Sequence, residues 1–408
     1  MPQFLARALG LTSLLLPLPL WAAAPASVRL DTSPEAPYQQ LVDGQLGGLA
    51  VEVLECIFAR LEQPHRIELT SWQRAKLNVR LRHSDGFFSA APDPQSEPFA
   101  QLSAPLLIEK WYWYARDAQN LNRQPWSEQT RIGAVLGSNS LAWLELRGIE
   151  VQQKVARHEQ LIKLLQRGRI DLVLADQAVM SDALAQDPAQ PPLQQRFARY
   201  SPLGVYFARD FLDSHPGFLA AFNRQLEHCA QPGTPLAADE QRYLEQLARH
   251  HLARWGEHPS LRQALATAAA MDATQLLQHD QQWMAARAGG SLTLLAEQIL
   301  AQPGSQYLRQ VQQRYAPLFA ELFVSDQQGL VVAMSQPTSD YWQGDEAKFL
   351  QSRDLQPGQL LIEGVRYDDS SQRFLAQLHA PLFDAEGVRV GTLTFGMDIE
   401  AVFAAAGP

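Results

Sequence analysis

Short apolar strand patterns alternate with helix patterns through the first half of this 408-residue chain, and this alternation limits the fold more than any other feature. Val28–Leu30 predicts a strand, and apolar residues at three- and four-residue spacing predict a helix over Leu49–Leu61. Lys110–Ala115 is an aromatic strand, with one face expected in a core and the other near a cleft. Such alternation predicts an α/β fold.

A second alternating set follows. Arg131–Val135 predicts a strand, and Ser138 and Asn139 are good N-cap residues for the next helix. Ile170–Ala175 predicts another strand, and a strand over Pro202–Ala208 is expected to return to the first set. Two α/β lobes joined by crossing strands would create a hinge and an interlobe cleft in which a small ligand binds.

The pattern changes after about residue 231. Long helical patterns cover Leu236–Trp255 and Ser260–Met284. Beyond Leu322 strands alternate with turns, and one strand is expected over Gln359–Val365. Helices followed by hairpin-connected strands predict a separate α+β domain.

The first 26 residues predict a cleaved secretory signal. Arg7 precedes an apolar run over Ala8–Trp21, and Ala24-Pro25-Ala26 fits the small-residue cleavage pattern. A membrane anchor is the alternative, but the run is short and contains two prolines. No later stretch is apolar for long enough to span a membrane, so we expect a periplasmic protein. For Cys56 and Cys229 two states stay open, a disulfide or two buried free thiols.

Composition argues against several classes of function. The formal net charge of −9 argues against binding nucleic acid by phosphate neutralisation. Two cysteines cannot supply a four-thiolate metal site, and the sequence contains no serine-hydrolase, zinc-protease, P-loop or CxxC motif. We therefore expect no enzymatic activity, no metal and no cofactor. A catalytically active, dehydratase-like bilobal protein is the alternative.

Residues 28–231 resemble the amino-acid-type (family 3) periplasmic solute-binding proteins. The matching segments are Gly48–Leu54, Trp72–Ala75, Asp85–Ala90, Leu102–Pro105, Gly133–Ser138 and Gly168–Asp176. The resemblance implies a bilobal periplasmic-binding-protein fold over residues 27–231 that closes around a small solute. Lobe 1 is expected at about 27–115 and 205–231, and lobe 2 at about 117–203.

The resemblance also implies a ligand site in the cleft. The arginine that grips the α-carboxylate of the ligand in that family has no counterpart in Pro92–Pro98, whereas Asp176 matches the acidic residue that faces an amino group. A solute with a cationic amine is therefore favoured, and helix capping is the alternative role of Asp176. The other cleft candidates are Tyr38, Trp72, Arg74, Phe88, Ser138 and Asn139.

These candidates have structural alternatives. Lobe packing would explain Tyr38 and Trp72, and helix capping would explain Ser138 and Asn139 equally well. Arg74 would either contact an anionic group of the ligand or hold a neighbouring carboxylate, and we favour the second role.

Residues from about 235 to 408 resemble a periplasmic PAS-like sensor domain of the Cache type. The resemblance lies in Thr338–Lys348, with further matches at Glu321–Asp326 and Ala380–Asp398. It implies a helical connector over 232–290 and a Cache/PAS-like domain over 291–408. The candidate ligand residues of this domain are Asp340, Tyr341, Trp342 and Asp345. The alternative is a loop that only plugs the sheet.

Together the two resemblances imply a sensory protein that binds a small polar solute by lobe closure and signals to a separate membrane receptor, such as a cyclase, a kinase or a chemoreceptor. We expect no output domain after the last strand pattern. The alternative is a substrate-delivery protein for the permease of an ABC-type importer. Long helices before a PAS-like sheet support dimers in that family, so a homodimer through the C-terminal region is a further expectation. The ligand, and the domain that senses it, stay open.

Overall fold

Two units of different class make up the protein, an N-terminal α/β unit (residues 27–229) and a C-terminal α+β unit (residues 233–405). The computed structural model describes residues 27–125, 127–187, 191–229, 233–368 and 373–405. The secretory signal expected over residues 1–26 lies outside the described residues. Within these ranges, no helix combines the length and the apolar character needed to cross a bilayer.

The N-terminal unit alternates strands and helices, as expected. Its strands are β1 (Val28–Thr32), β2 (Gln40–Val42), β3 (Gln45–Gly47), β4 (His65–Leu69), β5 (Gly86–Ala90), β6 (Ala100–Leu102), β7 (Leu107–Ala115), β8 (Ile132–Val135), β9 (Gln153–Val155), β10 (Leu172–Asp176) and β11 (Gln194–Ala208). Its helices are α1 (Leu49–Arg60), α2 (Trp72–Arg80), α3 (Ala118–Leu121), α4 (Asn139–Leu146), α5 (His158–Gln166), α6 (Gln177–Ala185), α7 (Arg209–Ser214) and α8 (Phe218–Cys229).

Strand β11 crosses between two lobes. The sheet order is β4-β1-β5-β11-β7-β10-β8-β9, with β6 beside β11 and with β2 and β3 as a separate hairpin. The first part of β11, over 194–203, pairs with β7 in lobe 2, and its last part, over 204–208, pairs with β5 and β6 in lobe 1. The unit is therefore bilobal, with its hinge at β7 and β11. Sequence patterns predict only the end of β11, because its start is polar and partly exposed.

Strand β7 is buried on both faces, which differs from the expectation that one aromatic face lies near the cleft. Trp111 and Trp113 pack in a core with α4, whereas Tyr112 and Tyr114 pack in a core with α5 and α6. Helices therefore cover both sides of the lobe 2 sheet. Of the strand's larger side chains, that of Glu109 approaches the cleft acids described below.

A disulfide joins Cys56 of α1 to Cys229 of α8, with the two Cα atoms 5.7 Å apart. The two helices pack on lobe 1, where Phe58 and Phe222 are fully buried and their rings meet edge to face. The disulfide therefore resolves the choice between a bridge and two free thiols. It closes a loop with a sequence separation of 173 residues, which contains all of lobe 2.

The C-terminal unit has helices first and an antiparallel sheet second. Its helices are α9 (Ala238–Trp255), α10 (Pro259–Ala266), α11 (Ala273–Ala288), α12 (Leu294–Ala301), α13 (Pro303–Arg314), α14 (Ala347–Ser352) and α15 (Ile399–Ala405). Its strands are β12 (Phe319–Asp326), β13 (Val331–Met334), β14 (Leu361–Ile362), β15 (Arg366–Asp368), β16 (Arg373–Phe383) and β17 (Arg389–Asp398). The sheet order is β13-β12-β17-β16-β14, and β15 also pairs with β16.

Two predicted elements of this unit are wrong in extent. The helix expected over Ser260–Met284 is two helices, because Asp272 caps α11 by accepting hydrogen bonds from the backbone N–H groups of Thr274 and Gln275. The strand expected over Gln359–Val365 shrinks to β14. Val365, the last residue of the predicted strand, pairs instead with Thr234, in the segment that leads into the C-terminal unit.

We expect loss of the disulfide to destabilise the N-terminal unit. The double variant Cys56→Ala/Cys229→Ala should lower the free energy of unfolding by roughly 2–4 kcal/mol, because the unfolded chain regains loop entropy. Urea unfolding of wild type and variant, followed by tryptophan fluorescence, measures the difference. Equal unfolding midpoints with and without reductant in the wild type would contradict this expectation.

Candidate functional site

Direct hydrogen bonds across the cleft hold the two lobes together. The Tyr38 hydroxyl of lobe 1 donates to the Asp176 Oδ2 of lobe 2 over 2.9 Å. The Asn139 side chain of lobe 2 accepts from the Ala91 backbone N–H over 3.1 Å and donates to the Ser89 carbonyl over 3.0 Å. The structure is therefore a closed form of the bilobal unit.

Asp176 has two roles at once. It ends β10 and caps α6, where its Oδ2 accepts the Val179 backbone N–H over 3.1 Å. Its Oδ1 accepts the backbone N–H of Lys110, on the hinge strand β7, over 2.8 Å. Helix capping and contact across the cleft are therefore not exclusive, because the Tyr38 hydroxyl meets the same carboxylate.

Two further carboxyl groups join Asp176, and sequence reasoning missed both. Glu109 of β7 is 3% exposed, and its Oε2 accepts the Trp111 indole N–H over 2.7 Å. Glu35 lies in the lobe 1 loop after β1. The signal available in the sequence was the Glu109-Lys110 pair, two charges in an otherwise apolar strand.

The pKa values of these three carboxyls are all raised, in each case chiefly by burial. Burial, reinforced by the charge of Asp176, raises the pKa of Glu35 to about 8. Burial and the charges of Asp176 and Glu35 raise the pKa of Glu109 well above its usual range. Burial also raises the pKa of Asp176, although Val179, Lys110 and Tyr38 donate hydrogen bonds that lower it. The cleft therefore favours protons or an added positive charge.

The remaining cleft candidates lie in different surroundings. Trp72 is buried against Gly137 of lobe 2, where an added Cβ would lie 2.9 Å from the Trp72 Cβ. Ser138 caps α4, and Phe88 is fully buried in the lobe 1 core. Arg74 is exposed on α2. The structure thus brings Tyr38, Asn139 and Asp176 together at the cleft, with Trp72 at the lobe contact.

No group of three or more histidine, cysteine, aspartate or glutamate side chains is placed to hold a metal ion in the part of the chain that the structure describes. What the cleft acids can do is bind a cation, because a buried carboxylate is stable only with a proton, donors or an opposite charge.

A cavity of about 670 Å³ forms a second candidate site, in the C-terminal unit. It lies between the sheet, the Thr338–Lys348 loop and α11. Its lining includes side chains of both charges, among them Arg287, Glu321, Lys348, Glu363 and Arg366. A volume of this size suits a small solute.

The floor of this cavity is a connected polar network. Gln377 donates to Glu321 Oε1 over 2.6 Å and accepts from the Lys348 Nζ over 2.8 Å. Behind it, the fully buried His379 donates to or accepts from Thr394 over 2.9 Å, and its Nε2 lies 3.7 Å from a Glu363 oxygen. Sequence reasoning missed this network because its members come from three separate strands, helix α14 and a loop.

None of the four residues predicted for the C-terminal site is among the residues that line this cavity. Tyr341 is buried beside Trp283, with ring centroids 5.5 Å apart, and the Trp342 indole N–H donates to the Gln328 carbonyl over 2.9 Å. Burial and the nearby Glu346 raise the pKa of Asp340 to about 6. Asp345 is exposed.

No family model and no curated protein matches the chain. Among solved structures, an ancestral arginine-binding protein bound to arginine is similar at 17% identity and a TM-score of 0.40, over 50% of this chain and 91% of that chain. An arginine-specific periplasmic binding protein of Salmonella typhimurium matches at 16% identity and 0.40, over 50% and 93% of the two chains.

A histidine kinase sensor domain with similarity to periplasmic binding proteins matches at 14% identity and a TM-score of 0.43, over 50% of this chain and 90% of that chain. These values are too low to assign a family, a ligand or a partner to this protein.

The raised pKa of Glu35 makes stability depend on pH. The Glu35 carboxyl titrates near its ordinary 4.5 in the unfolded chain and at about 8 in the folded protein. Between these values the folded state binds more protons, so the free energy of unfolding falls as pH rises. We expect Glu35→Gln to gain melting temperature relative to wild type between about pH 5 and about pH 8. The exposed Glu150→Gln is the matched control, and parallel curves for Glu35→Gln and wild type would contradict the expectation.

Proposed function

We propose that this protein is a periplasmic sensory protein that binds a small polar solute with a cationic amine in the interlobe cleft. On this proposal, binding closes the lobes, and the closed form signals to a separate membrane receptor. The observation that carries it is the cluster of acidic side chains at the lobe contact, where Glu109 and Asp176 are buried and Tyr38 meets Asp176.

An amine would supply a positive charge to the acidic side chains of the cleft. Burial removes solvation from Glu35, Glu109 and Asp176 and raises the pKa of each, and the charge of Asp176 raises the pKa values of the other two further. An ammonium group offers positive charge and up to three donors, so it would stabilise all three carboxylates in their ionised form. An anionic solute would instead add repulsion.

The C-terminal unit favours signalling over delivery to an importer. Delivery needs only the bilobal unit, yet Tyr200 of the hinge strand β11 is fully buried in the core of the C-terminal unit, with its ring 5.5 Å from that of Phe374. An antiparallel sheet preceded by helices, with Thr338–Lys348 over one face, supports assignment of this unit to the Cache type of sensor. The proposal also includes a homodimer of the protein that forms through this C-terminal unit.

The cleft proposal predicts selective stabilisation by amines. A diamine (putrescine) and L-arginine should raise the melting temperature of the protein, whereas succinate should not. At a hundredfold excess over Kd the stabilisation would be about 2.7 kcal/mol. Asp176→Asn should abolish most of it, because asparagine keeps the helix cap but removes the charge.

The exposed Glu150→Gln again serves as the matched control and should respond as wild type does. Stabilisation by succinate, or an amine response unchanged in Asp176→Asn, would overturn the cleft assignment. Isothermal titration of the responding solute gives the affinity directly.

The cavity of the C-terminal unit supports a second candidate, a sensor whose solute binds there and whose bilobal unit is a scaffold. The observation that favours it is the 670 Å³ volume above charged groups of both signs. The Glu321 carboxyl, whose pKa burial raises, suits an amino group. Arg287 suits a carboxylate, because its buried Nε has no hydrogen-bond partner among the residues that the structure describes. The matching solute is a small zwitterion.

This second candidate makes a separate prediction. L-alanine, a small zwitterion, should raise the melting temperature of wild type and of Asp176→Asn alike, and should fail to stabilise Glu321→Gln. Glutamine keeps the hydrogen bond to Gln377 but removes the charge, so the fold should persist. A response to L-alanine that disappears in Asp176→Asn and persists in Glu321→Gln would place the zwitterion in the cleft instead.

A further inference from the structure

Lys110 of the hinge strand β7 contacts both candidate regions of the protein. Its backbone N–H donates to Asp176 Oδ1 in the cleft over 2.8 Å. Its side-chain Nζ forms an ion pair with Glu240, in the first turn of α9 in the C-terminal unit. The side chains of Lys110 and Glu240 are only 4% and 9% exposed. Lys110 therefore connects Asp176 in the cleft, through its backbone N–H, to Glu240 in the C-terminal unit, through its side chain.

The Glu240 carboxylate is fixed by more than this ion pair. It accepts the Tyr112 hydroxyl, also of β7, over 3.0 Å, and the Ala237 backbone N–H over 2.8 Å. The latter bond closes the first turn of α9. A displacement of β7 would therefore act on the start of the first helix of the C-terminal unit.

The second hinge strand is held in the same way. The Tyr200 backbone N–H of β11 donates to Glu400 Oε1 of α15 over 2.9 Å. Phe197 of β11 packs edge to face on Phe403 of α15, with centroids 5.5 Å apart. Both strands that must change their dihedral angles when the lobes open are thus packed on the C-terminal unit.

We propose that the C-terminal unit restrains the opening of the lobes, and that the Lys110–Glu240 ion pair is the principal element of this coupling. The inference rests on the proposed function only in assuming that the lobes open and close. Since coupling is reciprocal, a solute that changes the C-terminal unit changes the opening of the cleft, and a solute in the cleft changes the C-terminal unit by the same factor. Lys110 is a positioning residue here, acting through Asp176 and Glu240.

Amide hydrogen exchange at Ala91 tests the coupling without any ligand. The Ala91 N–H is bonded to Asn139 across the cleft, so its exchange reports lobe opening. In the full-length protein, the Ala91 amide of the Lys110→Met variant should exchange about tenfold faster than that of wild type. This factor lies within the usual range of coupling between two sites. Amides inside the lobe 2 strand β8 should keep their wild-type rates, which global destabilisation would not allow.

Glu240→Gln is the second variant, because it removes the charge with the shape kept and should also accelerate exchange at Ala91 if Lys110→Met fails to fold. Lys154→Met, which breaks the exposed ion pair with Glu145, is the matched control and should leave Ala91 unchanged. Wild-type exchange at Ala91 in Glu240→Gln, or equal acceleration at Ala91 and in β8, would overturn the coupling. Failure to find any cleft solute would overturn the proposed function and leave this result standing.

Discussion

The buried strand β7 carries two adjacent residues of opposite charge, Glu109 and Lys110, and the contacts of both the cleft and the C-terminal unit depend on them. Successive side chains of a strand point to opposite faces, so Glu109 faces the cleft acids and Lys110 faces the C-terminal unit. A buried charge without partners is strongly unfavourable. Lys110 is therefore paired with Glu240, whereas Glu109 meets two more acids. The same strand thus fixes a complete ion pair on one side and contributes to an unpaired cluster of acidic groups on the other.

On the proposed function, the cluster of acidic groups would give the cleft its selectivity. The lobes close with Glu35, Glu109 and Asp176 at the contact, and closure removes the water that would otherwise solvate them. Protons and a bound cation are the two ways to compensate these groups, and they exclude each other at a given carboxyl. On the proposed function, affinity for an amine would therefore be linked to proton release. The same burial that penalises ionised carboxylates in the empty closed form would favour cationic over anionic solutes.

The alternating patterns predict the bilobal unit well, because its elements are local and their apolar periodicity is strong. They do not predict features that depend on contacts between distant parts of the chain. The buried second face of β7 depends on helices that follow much later, and the Cys56–Cys229 bridge depends on the contact between α1 and α8. Tyr38 and Asp176 were predicted through resemblance, whereas Glu35 and, in the C-terminal network, Gln377 and Glu363 lie outside every matching segment. Their roles arise only when folding brings separate strands and loops together.

The position of the C-terminal unit determines whether its contacts can change when the lobes open or close. A solute shifts an equilibrium between open and closed forms only through contacts that differ between them. A domain attached to the outside of one lobe would move with that lobe as a rigid body, and its own contacts would not change. The C-terminal unit instead packs on β7 and β11, through Glu240 and Glu400, where the backbone must adjust when the lobes open. Its contacts therefore depend on the angle between the lobes, which is the property that a sensor needs and a delivery protein does not.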